Sequence, residues 1–143
     1  ETDLTRDDLY ALADEVYAPN DVGAAISSGS MITLGMIVAP CAVKSAAEIA
    51  CGATQTLLTR AADVTLKERR RLVLMVRESP LHTGHLRTLT EASEIGAIIM
   101  PPMPAFYPRP ETIEDMVDHT VGRALDLFGI EHELLKRWTG TPA

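Results

Sequence analysis

Short apolar runs alternate with helical segments along the chain, and this alternation limits the fold more than any other feature of the sequence. Three runs have the length of buried strands, and they are the second half of MITLGMIVAP (31–40), RLVLMVRES (71–79) and AIIMPP (97–102). Apolar residues recur at helical spacing in three further segments, which are 43–69 with a possible break near Gly52, 85–95 and 112–129. Strands that alternate with such helices predict βαβ units, and therefore a doubly wound, Rossmann- or flavodoxin-like α/β fold with a parallel sheet covered on both faces.

The first sixteen residues predict a short amphipathic helix rather than a strand. Thr5 is a plausible N-cap, and Leu9, Leu12 and Val16 fall on one face. A doubly wound sheet normally starts with a strand and a phosphate-binding turn. We therefore expect residues 1–143 to form a single domain from which the first βαβ unit is missing.

Composition and charge exclude several classes of partner. The chain has 143 residues, of which 46% are hydrophobic, and this suffices for one packed core. A net charge of −7 argues against nucleic-acid binding, which needs a basic surface. No apolar run is long enough to span a bilayer and no secretory signal opens the chain, so we expect a cytoplasmic protein without a membrane partner. Cys41 and Cys51 are expected to be reduced thiols.

Polar residues follow each predicted strand, and ligands of open parallel sheets bind beyond the carboxyl ends of the strands. After the first strand, Lys44 and Ser45 stand at a helix start, where free N–H groups and the helix dipole favour an anion. A phosphate or the edge of a flavin would fit there. An ordinary turn with a solvated lysine is the alternative.

Arg77 and Glu78 are charged residues near the end of the second predicted strand, whose other residues are mostly apolar. Either their charges are paired or one of them titrates abnormally, so the sequence allows a structural ion pair or an acid that passes a proton. His82 and His85 have the spacing of a metal pair, but no cysteine or carboxylate clusters with them to complete a tetrahedral set. We therefore predict no metal site.

Further cationic and hydroxyl side chains lie on the helices and the last loop. Arg60, Asp63 and Lys67 share one helix face, which is either a solvated face or a grip for a doubly charged phosphate. Tyr107 follows the third strand. Arg123 lies on the last long helix, where we expect it to sit beside the core and to need an anionic partner.

Several longer stretches of the chain occur in a fixed order, and they are ISSGS (26–30), PCAVKSAAEIA (40–50), LLTRAADVTLKERR (57–70), LVLMVRESPLHTGHL (72–86), EIGAIIMPPMPAFYPRP (94–110), the helix of Arg123 and the terminal pair Arg137 and Trp138. In these stretches the chain closely resembles the flavin prenyltransferases of the UbiX family, earlier described as aromatic acid decarboxylases. The chain departs from the family at Ala42, where serine is common, and at Arg71, where proline is usual. The family's N-terminal strand and Gly-Ser-Gly turn are absent, so the chain corresponds to about three quarters of the family's domain.

The resemblance implies site residues by position. The FMN contacts it implies are Ala42, Val43, Lys44, Ser45 and Arg77. The contacts it implies for the prenyl phosphate are Lys67, Tyr107 and Arg123, with Arg60 close by. Glu78 corresponds to the catalytic acid, Glu1 to a second acidic residue near the phosphate, and Trp138 to an aromatic residue near the prenyl group.

The resemblance also implies a reaction and an assembly. A dimethylallyl group passes from dimethylallyl phosphate to reduced FMN, first to N5 and then to C6, and the prenylated FMN serves a UbiD-type decarboxylase. The members form homododecamers with the ligands at subunit junctions. Prenyl-transferring enzymes that bind magnesium carry aspartate clusters, and DDLYA (7–11) lacks the second acidic pair, so fixed cationic and hydroxyl donors would stabilise the leaving phosphate without a metal.

Two other functions remain open from the sequence. The first is a flavin-dependent decarboxylase of peptidyl cysteine or phosphopantothenoylcysteine, which shares the flavoprotein architecture. The second is a non-catalytic flavin-binding subunit that delivers cofactor to an aromatic acid decarboxylase.

Overall fold

The computed structural model describes residues 3–135 together with Arg137 and Gly140. In this part of the chain three parallel strands form one sheet in the order β1-β2-β3, and they are β1 (Gly35–Cys41), β2 (Arg71–Val76) and β3 (Ala97–Ile99). The helices are α1 (Arg6–Tyr10), α2 (Val43–Ala50), α3 (Leu57–Lys67), α4 (Thr83–Glu94) and α5 (Ile113–Asp126), and a 3₁₀ turn covers Ala25–Ser27. The predicted α/β fold with a parallel sheet is confirmed. None of the described helices is long and apolar enough to cross a membrane.

The central strand β2 forms the middle of the hydrophobic core. Leu72, Val73 and Leu74 are fully buried, because β2 pairs with a parallel neighbour on each side. Helices α2 and α4 pack against each other next to the sheet. Small residues such as Ala46 and Ala92, both fully buried, allow this close packing.

The apolar run 31–40 predicts a first strand that ends at Pro40, and this prediction is wrong, since β1 continues to Cys41. The pairing of β1 with β2 shifts register between Val38 and Cys41. A proline has no N–H to donate and is tolerated where a ladder is irregular. The strand therefore passes through Pro40 and delivers Cys41 as a buried side chain, whose pKa is raised by this burial.

The predicted N-terminal helix exists but is much shorter than expected. Thr5 and Asp8 form a capping box, in which Asp8 N donates to Thr5 Oγ1 at 3.2 Å and Thr5 N donates to Asp8 Oδ2 at 2.8 Å. The helix ends at Tyr10, contains no buried residue and leaves Leu12 84% exposed. Helical periodicity produces a long helix only where tertiary packing stabilises it, and here the apolar face has no such packing.

The other boundaries agree with the sequence to within a few residues. The expected break near Gly52 is confirmed, because α2 ends at Ala50 and Gly52 has a φ of +71°, a left-handed conformation that favours glycine. β2 ends at Val76, three residues before the predicted end. Arg77 and Glu78 therefore lie in the loop beyond the carboxyl end of the sheet.

Candidate active site

The start of α2 and the end of β2 meet at the carboxyl edge of the sheet. The backbone N–H of Arg77 donates to the carbonyl of Cys41 at 3.1 Å, which places Arg77 next to the turn that begins α2. Ala42 is the N-cap of α2 and supplies no side-chain cap, whereas Thr5, Thr56, His82 and Thr112 cap the other described helices. The first N–H groups of α2 are therefore available to an anion or to a polar ring edge.

Lys44 and Ser45 stand on this first turn. The Lys44 side chain is 84% exposed, and its Nζ lies 3.7 Å from a carboxylate oxygen of Glu48, one helical turn later. Exposed pairs of this kind contribute about 0–1 kcal/mol, so the pair does not hold Lys44 away from a ligand. In the single chain Lys44 is thus a solvated lysine, and its role toward FMN stays a prediction.

Arg77 and Glu78 are both exposed, and neither forms an ion pair with another described residue. The Glu78 carboxylate accepts a hydrogen bond from the backbone of Ser79 at 3.1 Å. Of the two alternatives that the sequence left open, the structural ion pair is not formed among the described residues of one chain. Both residues lie beyond β2, which ends at Val76, and a role of Glu78 in passing a proton stays a prediction.

Tyr107 contacts His119, a residue that sequence reasoning missed and that lines the same groove as Arg123. The Oη atom of Tyr107 lies 3.1 Å from Nε2 of His119, and the two rings meet edge to face. His119 is one turn before Arg123 on α5, and both line a groove of about 280 Å³. The opposite wall of this groove is the segment Ile98–Pro101, which contains the end of β3. His119 and Arg123 are four residues apart, which places them on one face of a helix, and this spacing is the sequence signal that could have indicated His119.

The expectation that Arg123 lies beside the core is wrong. Its side chain is 54% exposed, and the buried positions next to it are Gly122 and Ala124. The expected anionic partner exists, because Arg123 Nη1 donates to Oδ2 of Asp126 at 3.0 Å. Sequence reasoning did not name Asp126, although an acidic residue three positions after an arginine on a helix is a common ion-pair signal.

Asp126 also binds the segment that follows α5. Arg137 Nη2 donates to its carboxylate at 2.7 Å, and Nε2 of His132 lies 3.1 Å from the same oxygen. The hydrogen bond from Arg137, together with that from His132, holds the pKa of Asp126 at about 2. Asp126 is therefore a carboxylate at any physiological pH.

Lys67 lies at the other end of the sheet from Arg77. It is the last residue of α3 and comes four positions before β2 begins, so it lies at the amino edge. Its Nζ forms an ion pair with Glu68, and this hydrogen bond lowers the pKa of Glu68. The pair packs against Gly29, where an added Cβ would lie 2.7 Å from Lys67 Nζ.

Arg60 shares the helix face of Lys67 but stands two turns away. Seven residues separate them, which is about 10 Å along the helix axis, and Arg60 Nη1 donates to Asp63 at 3.2 Å. Arg70, which sequence reasoning did not single out, fixes the neighbouring loop by donating to the carbonyl of Gly29 at 2.8 Å. The structure thus places Lys67 by this loop, and Lys67 does not line the groove of His119 and Arg123 in the same chain.

Two of the predicted site residues, Glu1 and Trp138, lie outside the described residues. His82 caps α4, with its Nδ1 accepting from the backbone N–H of Gly84 at 3.0 Å, and its ring lies 3.6 Å from that of His85. Among the described residues no three His, Cys, Asp or Glu side chains are grouped to hold a metal ion.

Comparison with known proteins identifies the family. The family model named Flavoprotein matches residues 5–125. The flavin prenyltransferase UbiX of Escherichia coli strain K12 is 54% identical over 142 residues, which are 98% of this chain and 75% of the relative. This chain belongs to the UbiX family of flavin prenyltransferases. The resemblance drawn from the sequence is therefore confirmed.

Two solved structures of the UbiX family have the same fold. AnUbiX in complex with FMN and dimethylallyl pyrophosphate has a TM-score of 0.96 and 49% identity, over 99% of this chain and 76% of that one. The dodecameric FMN-dependent UbiX-like decarboxylase of Escherichia coli O157:H7 has a TM-score of 0.93 and 51% identity, over 98% of this chain and 76% of that one. This chain therefore has the same backbone fold as these two structures over the 76% of each that it covers.

Proposed function

We propose that this chain joins a dimethylallyl group to reduced FMN, without a metal ion, and so makes prenylated FMN for a UbiD-type decarboxylase. The observation that carries the proposal is the 54% identity with a flavin prenyltransferase over almost the whole chain. A structural neighbour at a TM-score of 0.96 was solved with FMN and dimethylallyl pyrophosphate. When bound, reduced FMN supplies the nucleophile, first at N5 and then at C6.

The carboxyl edge of β1 and β2 is the proposed FMN site. The uncapped first turn of α2, from Val43 to Ser45, offers backbone N–H groups, and the Arg77 backbone is tied to the same turn. These donors suit the polar edge or the phosphate of FMN. Ala42 contributes its backbone but no hydroxyl, so this contact differs from that of family members with serine there.

The proposed phosphate site is the groove that Arg123 and His119 line, with the hydroxyl of Tyr107 next to His119. A hydroxyl and a guanidinium there would bind the phosphate as the C–O bond breaks and negative charge develops on the leaving oxygen. Because these donors are already fixed by His119 and Asp126, little reorganisation is needed. Each lost donor should cost about 2–4 kcal/mol of transition-state stabilisation.

Lys67 and Arg60 are proposed to reach this phosphate from another copy of the chain. In one copy Lys67 lies at the amino edge beside Gly29, away from the groove. A neighbour with 51% identity is dodecameric. In a homododecamer with its sites at subunit junctions, Lys67 of one copy can lie beside the groove of another copy. This would explain how Lys67 can belong to the phosphate site although it lies away from the groove of its own chain.

The remaining roles are proposals of the same kind. Glu78 is assigned to proton transfer beside FMN, and in the single chain its carboxylate is exposed and therefore accessible to a ligand. Glu1 is assigned to the phosphate and Trp138 to the prenyl group. We also propose that residues 1–143 belong to one flavoprotein domain, supported by a continuous core that joins all three strands with α2, α3 and α4, and that the protein acts in the cytoplasm.

Anaerobic incubation with reduced FMN and dimethylallyl phosphate tests the reaction. Mass spectrometry of the flavin should show the mass increased by one dimethylallyl group, and dimethylallyl pyrophosphate in a parallel sample tests the choice of head group. Chelator should leave the yield unchanged. FMN of unaltered mass would reject the proposal, and loss of carbon dioxide from a cysteinyl peptide with oxidised FMN would favour the cysteine decarboxylase.

A further inference from the structure

Asp126, the last residue of α5, is fully occupied as a hydrogen-bond acceptor. Its Oδ2 accepts from Arg123 Nη1 at 3.0 Å and from Arg137 Nη1 at 3.3 Å. Its Oδ1 accepts from Arg137 Nη2 at 2.7 Å and lies 3.1 Å from His132 Nε2. A carboxylate has about four lone-pair directions, so every one of them is used.

The position of Asp126 is fixed from two sides. Its side chain is 16% exposed and that of His132 is 6% exposed. The segment that carries His132 packs directly on the backbone of α5, because a Cβ at Gly122 would lie 2.7 Å from His132 Cε1 and 2.8 Å from Leu135 Cδ2. Asp126 is thus held by its own helix and by the segment that follows it.

Arg123, by contrast, is an exposed side chain with one anchor. It is 54% exposed, and among the described residues its only ion pair is the one through Nη1 to Asp126. This contact leaves the N–H groups of Nε and Nη2 for a ligand in the groove that Arg123 and His119 line. Without Asp126 the long arginine side chain would sample several rotamers and would lose conformational entropy on binding.

The charge of Asp126 does not cancel the attraction of the cluster for an anion. One carboxylate faces the guanidinium groups of both Arg123 and Arg137, so the cluster keeps a net positive charge even with a neutral His132. A phosphate can therefore bind Arg123 without displacing Asp126.

We propose that Asp126 is a positioning residue for prenyl transfer, which fixes the Arg123 guanidinium so that its remaining donors meet the substrate phosphate. The inference rests on the proposed function, in which Arg123 binds that phosphate. Asp126 itself does not touch the substrate and acts through Arg123.

A double-mutant cycle with Asp126→Asn and Arg123→Ala in the full chain tests this. We expect Asp126→Asn to lower kcat/KM for dimethylallyl phosphate about tenfold and Arg123→Ala about 100-fold. In the Arg123→Ala background, Asp126→Asn should change kcat/KM by less than about twofold, because the residue through which it acts is gone. FMN affinity should stay unchanged in all variants.

Controls separate positioning from a general structural role. Glu114→Gln removes one carboxylate from the same helix without touching Arg123 and should match the wild type. Asp126→Glu keeps the charge and should recover part of the loss, and it replaces Asp126→Asn in the cycle if that variant does not fold. The inference would be overturned if Asp126→Asn had the kcat/KM of the wild type. It would also be overturned if the losses in kcat/KM were additive in the double mutant and FMN binding were weaker.

Calorimetric titration with inorganic phosphate keeps this test independent of the reaction. Arg123→Ala should abolish phosphate binding, and Asp126→Asn should weaken it about tenfold. If the wild type binds phosphate in this way but makes no heavier flavin, the proposed reaction fails and the positioning role stands. If neither variant changes phosphate binding, the positioning role fails.

Discussion

At the scale of single residues, each cation assigned to the phosphate is paired in the single chain with an acidic residue close to it in sequence. The pairs are Lys67 with Glu68, Arg60 with Asp63, and Arg123 with Asp126. Such exposed pairs contribute about 0–1 kcal/mol, so a phosphate dianion with several donors can compete with them. Asp126 differs from the other two carboxylates, because Arg137 and His132 also bind it.

The first prediction at this scale concerns the assigned acid. Glu78→Gln should lower the yield of prenylated FMN by more than about 100-fold, because an amide cannot exchange the proton that a carboxyl group does. FMN should still bind, since the uncapped start of α2 and Arg77 are unchanged. Product mass after anaerobic reaction and the absorption of bound flavin measure the two effects. Glu94→Gln, at the exposed end of α4, is the matched control, and wild-type yield from Glu78→Gln would refute the role.

The second concerns acid stability. The pKa of Asp126 is lowered from 3.8 to about 2 in the folded chain, so its contribution to stability is complete above the unfolded pKa and is lost as the pH falls toward the folded one. Asp126→Asn lacks this contribution at every pH. We therefore expect the Tm difference between wild type and Asp126→Asn to shrink between about pH 4 and pH 2, whereas a constant difference across that window would contradict the assignment.

At the scale of elements, helix ends are set by capping and by what the helix buries. Thr5, Thr56 and Thr112 each form a capping box, yet α1 buries nothing while α3 buries six residues. The same local signal therefore starts a marginal helix in one place and a core helix in another.

Thr56→Ala tests this difference. It should reduce the free energy of unfolding by about 1 kcal/mol, because the N–H of Thr59 loses its cap and α3 is part of the core. Thr5→Ala should have a much smaller effect on global unfolding, since α1 can fray without opening the core. Denaturant titration compares them, and equal losses would show that α1 is packed in the assembled protein.

The second test at this scale concerns Gly29, in a loop next to α3. A Cβ at Gly29 would overlap Glu68 Oε1 and would lie 2.7 Å from Lys67 Nζ, and both atoms are the flexible ends of side chains. Gly29→Ala should therefore displace Lys67 and raise KM for dimethylallyl phosphate with little change in Tm. Gly23→Ala, whose added Cβ would have only an ordinary contact at 3.5 Å with Asp21, is the control. An unchanged KM in Gly29→Ala would argue against the role of Lys67.

At the scale of the whole molecule, the residues assigned to one phosphate do not meet within one chain. Tyr107 and Arg123 converge through His119, whereas Lys67 lies at the amino edge of the sheet. Exposed apolar side chains such as Leu12 (84%) and Ile32 (89%) also lack packing in the single chain. Both observations agree with a site that is completed by assembly.

Mixed assemblies test this directly. Lys67→Ala and Arg123→Ala should each be nearly inactive, but co-expressed chains should regain activity at up to about a quarter of the sites if each site combines two copies. Tyr107→Phe mixed with Arg123→Ala should regain none, because those two residues come from the same copy. Product yield per flavin is the measurement, and failure of the first mixture would place Lys67 outside the site.

The α/β class and most element boundaries follow from the sequence, because apolar periodicity and turn residues act locally, and the family follows from the chain's resemblance to the UbiX family in many stretches of fixed order. Sequence reasoning named Tyr107 and Arg123 but missed His119 and Asp126, since ion pairs and ring contacts depend on which side chains the fold brings together. Three features depend on how the segments pack: β1 passes through Pro40, α1 is short, and Arg77 and Glu78 are exposed. The physical reason is the same in each case: local sequence sets which conformations are favourable, whereas burial and pairing across distant segments decide which of them the chain adopts.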